Sequence, residues 1–183
     1  MIENIKMDYF YQDDSDIEKI AELYCMTFLT ADYSHEDKGN AVKNLRKHAG
    51  YEGFVGIKSR DEAGNVIGFA YGYTSLPNQF YREKIADQLP EDQIDSWLYD
   101  CFEFVELAVH HSYKRLGVAS KLHDALLANT NCKTAVLTTG VKNKPAVNLY
   151  RKKGWELIKN DAPVISEANL QVIMGKILNE MKS

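Results

Sequence analysis

The chain has 183 residues, 45% of them hydrophobic, and a formal net charge of -4. That length fits one domain with an inserted segment and supports a real core, no apolar run approaches the roughly 20 residues that span a bilayer, and the acidic balance argues against nonspecific nucleic-acid binding as the main task. The opening MIENIKMDYF is polar and acidic, unlike a secretory signal, and the scattered Cys25, Cys101 and Cys132 read as reduced thiols of a cytoplasmic protein, with neither disulfide nor zinc spacing.

Residues 5–11 read as a first strand. Ser15-Asp-Ile-Glu18 has the form of a capping box, and Ile17, Ile20, Ala21, Tyr24 and Phe28 follow at helical spacing. Ser34 starts a second helix with Ala41, Val42 and Leu45 inward, stopped at Gly50. Strands are predicted over 51–58 and 66–74, joined by the turn chemistry of Asp61-Glu-Ala-Gly-Asn65. Residues 76–100 form a long connection with six acids against two bases, and with Phe80, Tyr81, Trp97 and Tyr99. Connections of that length are often functional. Residues 97–109 read as a central strand, 116–129 as a helix, 134–139 as a short buried strand. Asn143-Lys-Pro145 opens another helix that ends at Gly154. Residues 155–158 form a strand, 159–168 a polar loop, and 169–178 a last strand. Strands alternating with helices in the second half indicate a mixed α/β layer.

Two segments carry chemistry. After the strand ending at Val109, Lys114-Arg-Leu-Gly117-Val-Ala119-Ser120 forms a basic turn into a helix. Between Glu106 and Asp124 stand Lys114, Arg115 and Lys121 and no acid. Small residues let backbone approach a ligand, and a helix start offers free N–H groups and a positive dipole end, which together suit a pyrophosphate. The second segment is Asn143-x-x-Ala146-x-x-Leu149-Tyr150-x-x-x-Gly154-Trp155, whose Asn143, Ala146 and Tyr150 share a helix face.

With these two motifs the chain resembles the GNAT superfamily of acetyl-CoA-dependent N-acetyltransferases. The first motif departs from the family pattern only in Lys114, which stands where Gln or Arg is usual; the second matches at every fixed position. The resemblance implies a single domain over 1–183, with a splayed mixed sheet of about seven strands and about four helices. It implies acetyl-CoA as co-substrate and no metal. The pantetheine arm would meet backbone at Leu107, Ala108 and Val109. The pyrophosphate would meet Lys114, Arg115, Leu116, Gly117, Val118, Ala119 and Ser120. Asn143 and Ala146 would lie along the pantetheine, although Asn143 also reads as a helix N-cap. Tyr150 would be the general acid toward the departing thiolate, and an N–H near Val109 would serve the oxyanion.

Glu103 and Glu106 are the candidate bases. Carboxylates in an apolar strand tend toward raised pKa values, which suits a base near neutrality. Regular alternation puts them on opposite faces, and Glu106 is favoured as nearer the thioester. Thr138 stands where some N-terminal acetylating relatives carry an acid. His110, His111 and His123 have no metal spacing and read as exposed. The acidic, aromatic 76–100 segment points to a small cationic amine as acceptor. The alternatives are a protein or peptide amine and an acyl-CoA sensor without turnover. The resemblance is also compatible with a homodimer paired through the C-terminal strands.

Overall fold

In a computed structural model, residues 4–179 are described. The elements are β1 (Lys6–Tyr9), α1 (Ile17–Phe28), α2 (His35–Ala49), β2 (Val55–Arg60), β3 (Val66–Thr74), α3 (Phe80–Ala86) and α4 (Glu91–Leu98), then β4 (Cys101–Val109), α5 (Val118–Leu127), β5 (Thr134–Gly140), α6 (Lys144–Lys152), β6 (Glu156–Ser166) and β7 (Asn169–Ile177). The strands form one sheet in the order β1-β2-β3-β4-β5-β7-β6. Two compact units divide the chain, Met1–Tyr73 with Glu106–Thr130, and Thr74–Val105 with Asn131–Ser183. β4 passes from the second into the first at Glu106.

In the first unit β1, β2 and β3 pair antiparallel. α1 packs on α2, and α5 on β2. Gly68 permits the approach of α5, because a Cβ there would stand 2.8 Å from Ser59 Oγ and 3.0 Å from Leu122 Cδ1. Ser34 and Asp37 form the capping box of α2. The box expected at Ser15 does not form. Asp16 is the N-cap of α1 without a side-chain cap bond, because its carboxylate is drawn to Lys58 Nζ at 2.9 Å and to Arg60. Asp14 adds two contacts to Lys58 Nζ at 2.8 Å. Burial pushes the Asp16 carboxyl up, but the Lys58 hydrogen bond and the neighbouring cations outweigh it and hold the group below the usual carboxylate value.

In the second unit β4 pairs parallel with β5 from Cys101 to Glu103, and β7 pairs antiparallel with both β5 and β6. The 76–100 connection is not a loop. It holds α3 and α4, which raises the helix count to six among the described residues. Ile85 of α3, Leu89 between the helices and Leu98 of α4 join Val136, Val164 and Ile173 in one apolar cluster. Glu83, Asp87, Glu91, Asp92 and Asp95 remain exposed. α4 also takes up Trp97 and Leu98, so the strand expected from residue 97 begins at Cys101. The polar loop expected over 159–168 is mostly strand. β6 runs to Ser166 with register shifts after Leu157, Lys159 and Ala162, and Asp161 sits at a φ of 49°. Among the described residues no helix is long and apolar enough to cross a membrane, and Cys25, Cys101 and Cys132 are buried thiols.

Candidate active site

The first unit contains the end of β4 and the turn that follows. Ala108 and Val109 are buried, while Glu106 and Leu107 are half-buried. Burial, through lost hydration, pushes the Glu106 carboxyl up to about 8. The His110 N–H donates to Ile67 O on β3 at 2.7 Å, and its Nδ1 accepts from the Ser112 N–H at 3.2 Å. Burial, and then the neighbouring His111, lower the His110 pKa. The two imidazoles stack with centroids 4.3 Å apart. A neutral His110 with Nδ1 accepting carries its proton on Nε2.

A short 3-10 turn, His111–Tyr113, leads to Lys114. Arg115 (φ 63°) and Gly117 (φ 83°) are both left-handed, on either side of the exposed Leu116. Arg115 holds that conformation against its Cβ, which costs on the order of 1–2 kcal/mol. α5 begins at Val118 rather than Leu116, and its N-cap, Gly117, offers no side chain to the first-turn N–H groups. Those donors have no intrahelical acceptor, and beyond Gly117 and its two chain neighbours nothing among the described residues stands within 4 Å of where a Gly117 Cβ would be. Lys114, Arg115 and Lys121 are exposed around it. An open helix start without a side-chain cap and with three cations nearby fits a diphosphate.

Beside this turn lies a cavity of about 80 Å³, lined by Leu23, Met26 and Thr27 of α1 and by Val109, His110, His111 and Lys114. The sequence pattern had His110 and His111 as plain exposed loop residues. Both line the cavity, and the available signal was a histidine pair directly between the strand and the basic turn. His123 was also expected exposed, but it is 2% exposed on α5 with Nδ1 2.9 Å from Asp124 Oδ1.

The second unit holds the other motif. Asn143 Oδ1 accepts from the Ala146 N–H at 3.4 Å, making Asn143 the N-cap of α6, with Pro145 in the first turn. Tyr150 is buried, with its ring edge-to-face to Phe104 at 5.7 Å and to Trp155 at 5.8 Å. The Trp155 N–H donates to Tyr150 O at 3.0 Å, and Gly154 (φ 86°) turns the chain out of the helix. Glu103 is 3% exposed and stands opposite Val136 in the parallel register. Thr138 lies opposite Ile173. Among the described residues no group of three or more His, Cys, Asp or Glu is arranged to hold a metal ion.

The model of the acetyltransferase (GNAT) family matches residues 17–155. Among curated proteins no significant match is found. Many solved structures share the fold. Ard1 from Thermoplasma volcanium is 21% identical, with 96% of this chain and 99% of that one covered and a TM-score of 0.66. The ribosomal-protein-S18-alanine N-acetyltransferase from Escherichia coli is 13% identical, with 98% and 97% covered and a TM-score of 0.69. The yncA protein of Salmonella typhimurium, solved with its cofactor acetyl-CoA, is 16% identical, with 98% and 97% covered and a TM-score of 0.67.

Proposed function

The chain belongs to the GNAT acetyltransferase family, and from that premise we propose that it transfers the acetyl group of acetyl-CoA to a primary amine, first of all a small cationic one. The observation that carries the cofactor half of this reading is the α5 start: an N-cap glycine in left-handed geometry, first-turn N–H groups without a side-chain cap and three exposed cations. Residues 114–120 would hold the diphosphate. Backbone at Leu107, Ala108 and Val109 would meet the pantetheine amides as a partial extra strand, beyond the Cys101–Glu103 stretch that pairs with β5. Asn143 and Ala146 are proposed as further contacts to that arm.

When bound, acetyl-CoA supplies a thioester carbonyl for the amine to attack. The ammonium must first lose a proton. Glu106 is the proposed acceptor at its carboxylate, because a carboxyl raised to about 8 is a stronger base than an ordinary one. Glu103 is the second candidate on the same strand. The Val109 N–H would donate to the carbonyl oxygen. Tyr150 would deliver its Oη proton to the departing sulfur.

The cationic acceptor rests on the exposed acids of α3 and α4. A second reading, a peptide or protein amine, is favoured by the apolar end of α1. Met26, Phe28 and Leu29 are 44%, 42% and 47% exposed, and Met26 also lines the cavity. Such a rim suits a substrate with an apolar side chain next to its amine. One experiment in two stages tests both. Acetyl-CoA at a hundredfold its Kd stabilises by about 2.7 kcal/mol, a rise in Tm of about 5–10 °C for a chain of this size. No rise at any acetyl-CoA concentration removes the cofactor reading. Thiol release is then measured with polyamines and with short peptides. Turnover with polyamines alone supports the first acceptor, and turnover with apolar peptides alone replaces it with the second.

A further inference from the structure

The eight residues from His110 to Gly117 connect β4 to α5, and from His111 to Gly117 all are exposed except Tyr113. An exposed connection holding Arg115 left-handed needs restraint from elsewhere, or it relaxes toward commoner backbone. Its start is tied by the His110 N–H to Ile67 O. Its middle is tied by a side chain: the Tyr113 Oη–H donates to Asp61 Oδ2 at 3.1 Å, across 52 residues of sequence.

Asp61 is a fixed acceptor. It opens the β2–β3 turn, and its Oδ1 accepts from the Asn65 N–H at 2.8 Å while its Oδ2 accepts from Asn65 Nδ2 at 3.1 Å. Its own N–H donates to Asn65 O at 3.0 Å, and the Gly64 N–H donates to Asp61 O at 3.0 Å. The Asn65 backbone and side-chain donors, with Tyr113 adding to them, hold the carboxyl below the usual carboxylate value. The group is therefore ionised throughout the neutral range, and a hydrogen bond to an ionised acceptor is stronger than a neutral one. Tyr113 lies one residue before Lys114 and two before Arg115.

We propose that the β2–β3 turn is part of the cofactor-binding apparatus: Asp61, through Tyr113, holds the Lys114–Gly117 turn in its diphosphate-binding geometry, and both are positioning residues. The inference rests on the reading that residues 114–120 hold the diphosphate of acetyl-CoA. Loss of the Tyr113–Asp61 bond lets the turn relax. Affinity for the diphosphate falls, while groups that meet the acetyl end keep their places.

The test is calorimetric titration of the full chain with acetyl-CoA and, separately, with acetyl-pantetheine, which lacks the diphosphate. Tyr113→Phe and Asp61→Ala each weaken acetyl-CoA binding about 3- to 10-fold, the size of one ordinary hydrogen bond at a part-exposed position. The double variant loses no more than the weaker single variant, because both remove the same bond. Asp61→Asn keeps an acceptor oxygen and recovers part of the loss. Acetyl-pantetheine affinity, and kcat at saturating acetyl-CoA, stay at the wild-type value. Unchanged acetyl-CoA affinity, additive losses, or equal losses for both ligands overturn the proposal. Should Asp61→Ala fail to fold, Tyr113→Phe with the two ligands decides alone. A wild-type chain that binds no acetyl-CoA overturns the cofactor reading itself, and this inference with it.

Discussion

The turn at 114–120 and helix α6 carry the two signature motifs, and opposite physics fixes them. The turn is exposed from Lys114 to Gly117, and its shape comes from two left-handed residues and a few hydrogen bonds. Helix α6 is capped by Asn143, and its Tyr150 ring is buried between Phe104 and Trp155. A substitution in the turn is therefore expected to change affinity for the proposed diphosphate with little loss of packing. A substitution of Tyr150 changes packing and chemistry together unless the ring is kept.

Tyr150→Phe separates the two and carries the largest expected effect. The phenyl ring retains the contacts to Phe104 and Trp155 and loses only the hydroxyl. If the hydroxyl is the general acid, kcat falls by about 10²-fold or more. Tm stays within about 2 °C and acetyl-CoA affinity within about twofold, since the ring remains packed. Steady-state kinetics with calorimetry reads all three. Full activity in this variant removes Tyr150 from the chemistry and leaves it as a packing residue.

Glu106 supplies the matching test in the first unit, where burial and not packing sets the chemistry. Its pKa is raised to about 8, so the carboxylate is a minor form at pH 7 and the major form above about 8. As base, it makes kcat/KM climb with pH up to about 8 and level off above. Glu106→Gln flattens that limb and lowers the plateau on the order of 10- to 100-fold. The stability sign is opposite. An acid raised in the folded state binds more protons there than in the unfolded chain between its ordinary value and about 8, so stability falls as pH rises through that window. Glu106→Gln removes this loss, and its Tm exceeds the wild-type value at pH 9. A limb that survives in Glu106→Gln and disappears in Glu103→Gln transfers the base to Glu103.

The same contrast decides what the sequence made legible. The basic turn, the α6 motif, the helix start at Ser34 and the Asp61–Asn65 turn are local patterns, and the structure contains each of them. What stayed hidden depends on distant partners. The box expected at Ser15 gives way to an N-cap at Asp16, whose carboxylate is claimed by Lys58 and Arg60, more than 40 residues away. Across α3 and the turn after it, Ile85 and Leu89 stand at helical spacing, as do Ile94 and Leu98 in α4. Pro90 splits the pattern, and the exposed acids disguise helices whose apolar side meets β5 and β6. The part of β6 beyond Ile158 reads as a loop because Pro163 and the left-handed Asp161 interrupt alternation, and only pairing with β7 restores it as a strand. The Tyr113–Asp61 bond joins two turns that share no local signal.

Asn143 gives the smallest effect and the finest discrimination, because one side chain is asked to do both kinds of work. Its Oδ1 caps α6 through the Ala146 N–H at 3.4 Å, a long bond, and it is also proposed to meet the pantetheine arm. Serine caps a helix about as well as asparagine, whereas alanine loses about 1 kcal/mol, or about 2–4 °C in Tm for a chain of this size. Asn143→Ser therefore keeps the wild-type Tm, and Asn143→Ala lowers it. If the carboxamide also reaches the cofactor, both variants lose affinity for acetyl-pantetheine, about 3- to 10-fold for one hydrogen bond, despite their different stabilities. Affinity that follows Tm instead, retained in serine and reduced in alanine, makes Asn143 a cap and nothing more. Cofactor recognition on this side would then come from helix α6 as a rigid body anchored by the buried Tyr150 ring, with the exposed turn left to do the selective binding.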